Sequence, residues 1–98
     1  MNTRLIVRSK AEEDLTEARD WYDDQCAGLG QEFLIAVDEA FERIRQFPEI
    51  YAAEYRNVRR ARLRRFPYVV YYRIVDEGLE VLAVLHGSRH PRTWRSRA

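Results

Sequence analysis

Cysteine is nearly missing from this chain of 98 residues: Cys26 stands alone, so no disulfide can form within it. Cys-X-X-Cys pairs and Cys/His clusters are absent too, which argues against a structural zinc site and leaves no metal or cofactor implied. The longest uninterrupted aliphatic run is Val81–Leu85, a strand's length and far short of the roughly 20 residues that cross a bilayer. The opening MNTRLIVRSK holds only a three-residue apolar run, too little for a signal peptide. A cytoplasmic protein without a membrane partner is the expectation, with Cys26 a reduced, small, buried or half-buried residue. No Ser-His-Asp order, Gly-rich phosphate loop or HExxH motif occurs. Lysine is almost as scarce as cysteine, since Lys10 is the only one and every other basic residue is arginine.

Enough apolar material remains for one domain over residues 1–98: 46% hydrophobic and 12% aromatic, with 34% charged. That balance excludes a disordered chain, and the length excludes a second core. The net charge of +1 conceals a segregation. Residues 1–54 carry 6 basic and 13 acidic side chains, whereas residues 55–98 carry 11 basic, all arginine, and 3 acidic. Such asymmetry points to a polyanionic or acidic partner for the second half.

The apolar period divides the chain in the same place. Thr3 to Arg8 reads as a short strand. Ser9 and Glu12 then fit a capping box, and Ala11, Leu15, Ala18 and Tyr22 recur at helical spacing, with Trp21 at the flank. Gly28 and Gly30 mark a turn after Cys26. A second helix is predicted from about Gln31 to Gln46 on Phe33, Val37, Ala40, Phe41 and Ile44, supported by a Glu39–Arg43 pair and closed by Pro48. The two form an antiparallel hairpin. Strands follow over Val58–Phe66, Tyr68–Val75 and Leu79–His86, the last two joined by a tight turn in which Gly78 suits positive φ. In the last strand, alternation puts Leu79, Val81, Ala83 and Leu85 on one face and Leu82, Val84 and His86 on the other; apolar residues on both faces argue for a central position. The residues GSRHPRTWRSRA read as a basic tail, docked or loose. The expected fold is α+β, in the order β-α-α-β-β-β: a small antiparallel sheet with the helical hairpin packed on one face.

Arginine carries the functional signal. Arg59, Arg60, Arg62, Arg64 and Arg65 lie within seven residues, Arg73 on the next strand, and Arg89, Arg92, Arg95 and Arg97 in the tail. Like charges at two-residue spacing repel, so counter-charge from an anion or an acidic partner is expected, and guanidinium suits phosphate and carboxylate by its bidentate geometry. Tyr68, Tyr71, Tyr72 and Trp94 accompany the arginines, as base-stacking platforms or as packing residues. His86, at a strand end, is a structural residue or a general acid; no Glu stands near it in sequence. Glu12, Glu13, Asp14, Glu17, Asp20, Asp23 and Asp24 read as the solvated face of the first helix.

The segments AEEDLTEARDWY, IRQFPE, RRARLRRFPYVVYYRIVDEG and LEVLAVLHGSRHPRTW, in that order, resemble the RelE/ParE superfamily of type II toxin–antitoxin modules, and the ParE branch most closely. The resemblance implies the fold above and a toxin neutralised by a cognate antitoxin whose acidic or amphipathic segment wraps its surface, with DNA bound by the complex through the antitoxin. It further implies poisoning of DNA gyrase rather than enzymatic action. Arg60, Arg62, Arg64, Arg65, Arg73, Arg89, Arg92 and Trp94 would be the contact residues. The alternative is a RelE-like, ribosome-dependent mRNA endoribonuclease with Arg62, Arg64, Arg73 and His86 as its catalytic set. The missing C-terminal tyrosine and missing strand lysine set this chain apart from that branch.

Overall fold

A computed structural model describes residues 3–98. Met1 and Asn2, which begin the segment judged too short for a leader, lie outside the described residues. The chain runs β1 (Leu5–Val7), α1 (Ser9–Gln25), α2 (Leu29–Gln46), β2 (Ala53–Tyr55), β3 (Val58–Arg62), β4 (Tyr68–Val75), β5 (Gly78–His86) and α3 (Pro91–Arg95). Among the described residues the strands form one sheet in the order β1-β5-β4-β3-β2. No described helix is long and apolar enough to cross a membrane.

The α+β class and the hairpin on one face follow the expectation. Ala11 and Ala18 of α1 and Phe33, Val37, Ala40 and Ile44 of α2 are buried against Ala61, Val70, Tyr72, Leu79, Val81 and Val84 of the sheet. Burying one side chain of the size of Phe33 contributes about 2 kcal/mol, so this layer supplies most of the drive to fold. The helices are linked by Cys26, Ala27 and Gly28, with Gly28 at φ 91°. Gly30 lets them close: its N–H donates to Asp23 Oδ1 at 2.7 Å, and a Cβ there would lie 2.6 Å from the Arg19 carbonyl oxygen. Cys26 is exposed at this link, not buried as expected, because the turn projects beyond both helix stripes.

Several local expectations give way to competing interactions. Arg8, not Ser9, is the N-cap of α1, and no side chain caps it, so the Ser9–Glu12 box does not form. The Arg8 N–H is drawn into the sheet by the Val81 carbonyl at 3.0 Å, and the helix starts one residue earlier than a box would allow. Arg43 turns from Glu39 toward the sheet and donates to the Arg62 carbonyl at 2.7 Å. The predicted strand over Val58–Phe66 stops at Arg62, since Arg65 takes φ 72° in the bend before Pro67. Arg64 and Arg65 therefore lie off the strand.

The sheet is mixed at one edge. β2 to β5 form an antiparallel meander, but β1 pairs with β5 in parallel. The cause is the short strand β2, absent from the sequence reading. Each element reverses the one before it, so one additional strand changes the parity of reversals between β1 and β5. β2 turns into β3 through Arg56 and Asn57, both at positive φ (49° and 66°), as a type I′ turn needs. Arg-Asn is a weak spelling of a turn usually written Asn-Gly.

A bulge also redirects β5. Tyr71 pairs with Ala83 and Tyr72 with Val81, leaving Leu82 unmatched. Beyond it the alternation slips by one residue. Leu79, Val81 and Val84 face the helices, while Leu82, Ala83 and Leu85 face the opposite side. That opposite side has its own apolar layer of Val58, Val69, Tyr71 and Trp94. Trp94 stacks on Tyr71 with centroids 4.9 Å apart, so the C-terminal segment is docked. Pro91 and the His90 side chain, which accepts the Arg92 N–H at 3.1 Å, start α3 there.

Asp14 is the one acid of α1 that leaves the solvent. It is only 8% exposed. Its Oδ2 accepts the Val84 N–H at 3.0 Å and pairs with Arg97 at 2.6 Å, and Arg97 also donates to the Leu82 carbonyl. Replacing Asp14 with Ala leaves the Val84 N–H and a largely buried guanidinium without partners. Urea unfolding should show a loss of about 3 kcal/mol, whereas Asp20→Ala on the exposed face should change stability by less than about 0.5 kcal/mol.

Candidate functional site

The arginines of the second half separate by what they touch. Arg59 donates to the backbone carbonyl of Tyr51 and fastens the segment that precedes β2. Arg97 is held by Asp14. Arg73 pairs with Glu80 at 2.7 Å, and Arg8 pairs with the other oxygen of the same carboxylate. These three bind the protein to itself, so the repulsion expected from sequence is partly relieved from within.

The remaining arginines face outward in three groups. Arg60 and Arg62 point from β3 to the side that carries α3, because Arg60 lies opposite Tyr71 and Arg62 opposite Val69, both in the layer around Trp94. The Arg60 guanidinium stands 5.6 Å over the Tyr71 ring and 3.9 Å from Glu54, and its buried Nε has no hydrogen-bond partner. From α3, Arg95 lies 5.1 Å over Tyr55, and Arg92 and Arg95 line an open cleft with Tyr55 and His90. Arg56 joins them over the same Tyr55 ring at 5.3 Å. Here is the densest positive face. The second group turns toward α2: Arg65 pairs with Glu32 at 2.8 Å, and Arg64 borders a groove with Ile35, Asp38 and Glu42. Arg89 stands apart, in a cleft with His86 beside α1.

Of the sequence-predicted contact residues, Arg60, Arg62 and Arg92 therefore share a face. Arg64, Arg65 and Arg89 lie elsewhere, and Arg73 is occupied by Glu80. Trp94 is buried beneath the arginines as their platform. Tyr71 and Tyr72 are also buried and cannot stack on bases. Burial pushes the Tyr72 phenol up to about 12, and its hydroxyl donates to the Pro48 carbonyl at 2.8 Å. Packing is thus the role of these aromatics.

The residues set out for RNA cleavage are not gathered. Arg73 and His86 are separated along β4, since His86 pairs with Tyr68 and Arg73 comes five residues later, about 17 Å along a strand. His86 shares the helix-side face with Tyr68, whereas Arg62 belongs to the opposite face. Arg64 is off the strand altogether.

Glu80 is held by two guanidiniums in a site that removes it from water. Burial alone would raise its carboxyl; hydrogen bonds and charge from Arg73 and then Arg8 outweigh burial and leave it below the ordinary glutamate range. A lowered folded-state pKa contributes stability that is present above the unfolded value of 4.5 and is lost as pH falls through the folded value. Unfolding free energies measured from pH 7 downward should therefore fall more steeply below pH 4.5 for the wild type than for Glu80→Gln.

Comparison with known proteins agrees with the fold. The family model described as "ParE toxin of type II toxin-antitoxin system, parDE" matches residues 5–91. Toxin ParE2 of Mycobacterium tuberculosis (strain CDC 1551 / Oshkosh) is 37% identical over 92 residues, covering 93% of this chain and 88% of that protein, and the same holds for Toxin ParE2 of strain ATCC 25618 / H37Rv. In fold, the chain is similar to one from the chromosomal ParDE TA system of P. aeruginosa, with a TM-score of 0.76 at 20% identity, covering 86% of this chain and 95% of that one. A family match across β1 to the start of α3, with a relative alike over nearly its whole length, places the chain in the ParE toxin family of type II toxin–antitoxin systems.

Proposed function

We propose that this ParE-family toxin acts in the cytoplasm by trapping DNA gyrase on DNA, and that a cognate antitoxin silences it by covering the positive face. The observation that carries the proposal is the disposition of Arg60, Arg62, Arg92 and Arg95. They stand around a rigid aromatic platform, and none is taken by a buried carboxylate. Guanidiniums fixed on aromatic rings lose little freedom on meeting a phosphate or carboxylate. No metal or cofactor takes part, because binding alone blocks the target.

The alternative reading, mRNA cleavage, needs Arg62, Arg64, Arg73 and His86 around one scissile phosphate. Their separation on the sheet favours the binding role instead. An inert toxin kept only for antitoxin-assisted repression at its own promoter would have the same surface but no effect on growth. Gyrase supercoiling and cleavage assays separate these readings. The wild-type chain should inhibit supercoiling and accumulate cleaved DNA–gyrase complex, and Arg60→Glu with Arg62→Glu should abolish both while preserving the fold. Normal supercoiling at excess toxin would defeat the gyrase proposal, and codon-specific breaks in translated mRNA would replace it.

Antitoxin affinity should be sensitive to the same charges. Arg60→Glu with Arg62→Glu should weaken the complex roughly tenfold or more, through loss of favourable charge pairs across the interface. In calorimetric titrations the wild-type affinity should fall as salt rises, since screening shortens the reach of these charges. Unchanged affinity would locate the antitoxin on apolar surface, such as the exposed Phe47 and Ile50 beyond α2.

A further inference from the structure

The cleft between α1 and the end of β5 is outside the positive face and has a different chemistry. Glu17 and Trp21 come from α1, Tyr68 and His86 from paired ends of β4 and β5, and Arg89 from the turn that follows. The volume is about 190 Å³, below the roughly 300–1,000 Å³ of pockets that take a whole ligand, so it suits one ring-sized group. Trp21 is 56% exposed although α1 had a core in reach. It stands edge-on to Tyr22 at 5.1 Å, and His86 is edge-on to Tyr68 at 5.5 Å. The aromatic wall is thus braced from behind and open in front.

The polar groups are arranged as an unfinished set. Asp14, at the floor, is already satisfied by Arg97 and the Val84 N–H. Glu17 and Arg89 are both exposed and border the same cleft, but no ion pair joins either one to a partner among the described residues. Both charges reach the Tyr68 phenol: burial raises its pKa, Arg89 opposes this and Glu17 reinforces it. His86 Nδ1 accepts the Ser88 N–H at 3.0 Å, which leaves the neutral ring's proton on Nε2 as a donor.

An acidic peptide side chain would meet Arg89 but be repelled by Glu17, and a basic one the reverse. An aliphatic side chain would leave both charges unanswered in a partly desolvated cleft. A nucleotide answers both, since its base edge carries N–H donors for a carboxylate, its phosphate carries charge for a guanidinium, and its ring stacks on an aromatic. We propose that this cleft binds one unpaired nucleobase of a single-stranded nucleic acid, stacked on Trp21, with Glu17 accepting from the base edge and Arg89 meeting the phosphate. Guanine is preferred, because its adjacent N1–H and N2–H₂ can both donate to one carboxylate; thymine and uracil offer a single N–H between two carbonyls that oppose Glu17. The site lies off the Arg60–Arg62 face, so it does not rest on gyrase being the target.

The test uses the full chain and 5′-phosphorylated tetranucleotides, either T-T-G-T, T-T-T-T, or the same strand with an abasic third position. Trp21 is the exposed tryptophan and Trp94 the buried one, so stacking reads out as quenching of the solvent-exposed emission. The guanine strand should quench it and bind about tenfold more tightly than the thymine or abasic strand. Glu17→Gln should remove that preference by weakening guanine binding, with thymine binding no weaker than in the wild type. Arg89→Ala should weaken all strands alike and flatten their salt dependence. Trp21→Phe should abolish the quench, and the Tyr68 and His86 ring resonances should still shift with the guanine strand, which keeps binding measurable without the reporter. Equal affinity for guanine and abasic strands, or a guanine preference that survives Glu17→Gln, would overturn the base slot. Loss of all binding in Arg60→Glu with Arg62→Glu, with Glu17, Trp21 and Arg89 variants unaffected, would assign nucleic-acid contact to the other face. No quench at millimolar nucleotide would mean that the cleft holds no base.

Discussion

The architecture depends on how one unpaired strand edge is closed. β5 is nine residues long and β1 only three, so β1 covers Leu79 to Val81 and leaves the next residues of that edge without a strand neighbour. Buried backbone polar groups without partners are costly. Here two side chains from distant parts of the chain supply what a longer β1 would have supplied. Asp14 accepts the Val84 N–H and Arg97 donates to the Leu82 carbonyl, and the two then neutralise each other. The arrangement also fixes α1 to the sheet and the C-terminal segment to α1. A pair of opposite charges in so dry a place contributes little net stability compared with apolar packing. Its effect is on specificity: the C-terminal segment has one place to go, and Trp94 is delivered onto Tyr71.

From that docking follows the division of labour among the arginines. Composition treats them as equivalent, yet Arg59, Arg73 and Arg97 are used to hold the fold, and Arg60, Arg62, Arg92 and Arg95 are displayed by it. Arg60 and Arg95 of the displayed set stand on aromatic rings, and Arg60 meets only an exposed carboxylate, Glu54, at 3.9 Å. A ring orients a guanidinium without cancelling its charge, so the face remains positive while its geometry is restrained. A face built from Arg–Glu pairs would have been ordered and neutral. Charge segregation along the chain therefore becomes a partner-facing surface only because α3 and Trp94 lie beneath it.

Periodic information was legible and parity was not. Both helices follow from their apolar stripes, since Phe33, Val37, Ala40 and Ile44 can share a face only at 3.6 residues per turn. The meander from β3 to β5 follows from runs rich in β-branched and aromatic residues. Three single-residue features escaped the same reasoning. The turn at Arg56–Asn57 lacks glycine, so β2 was hidden, and with it the parallel pairing of β1. The bulge at Leu82 is invisible in a run where every residue is apolar, because sliding the alternation by one leaves the pattern equally good. Asp14 looked like one more acid among seven on α1. Its signal was its position: three residues after Ala11 and four before Ala18, it lies on the buried stripe itself.

The same lesson applies to the candidate sites. Glu17 follows Asp14 by three residues and Trp21 follows Glu17 by four, so a line runs up α1 from the buried carboxylate to the exposed indole. Read from the apolar stripe, Trp21 is a flanking residue and Glu17 a solvated acid. Read from Asp14, both lie along the seam where α1 meets the open edge of β5, joined there by the Asp14 carboxylate and the Val84 N–H. A seam closed by charge at its floor cannot be filled by aliphatic side chains without stranding that charge, so it stays a cleft where it reaches the surface. The constraint that closes the sheet edge therefore also opens the cleft, so the buried Asp14 and the exposed Trp21 of one helix have one physical cause.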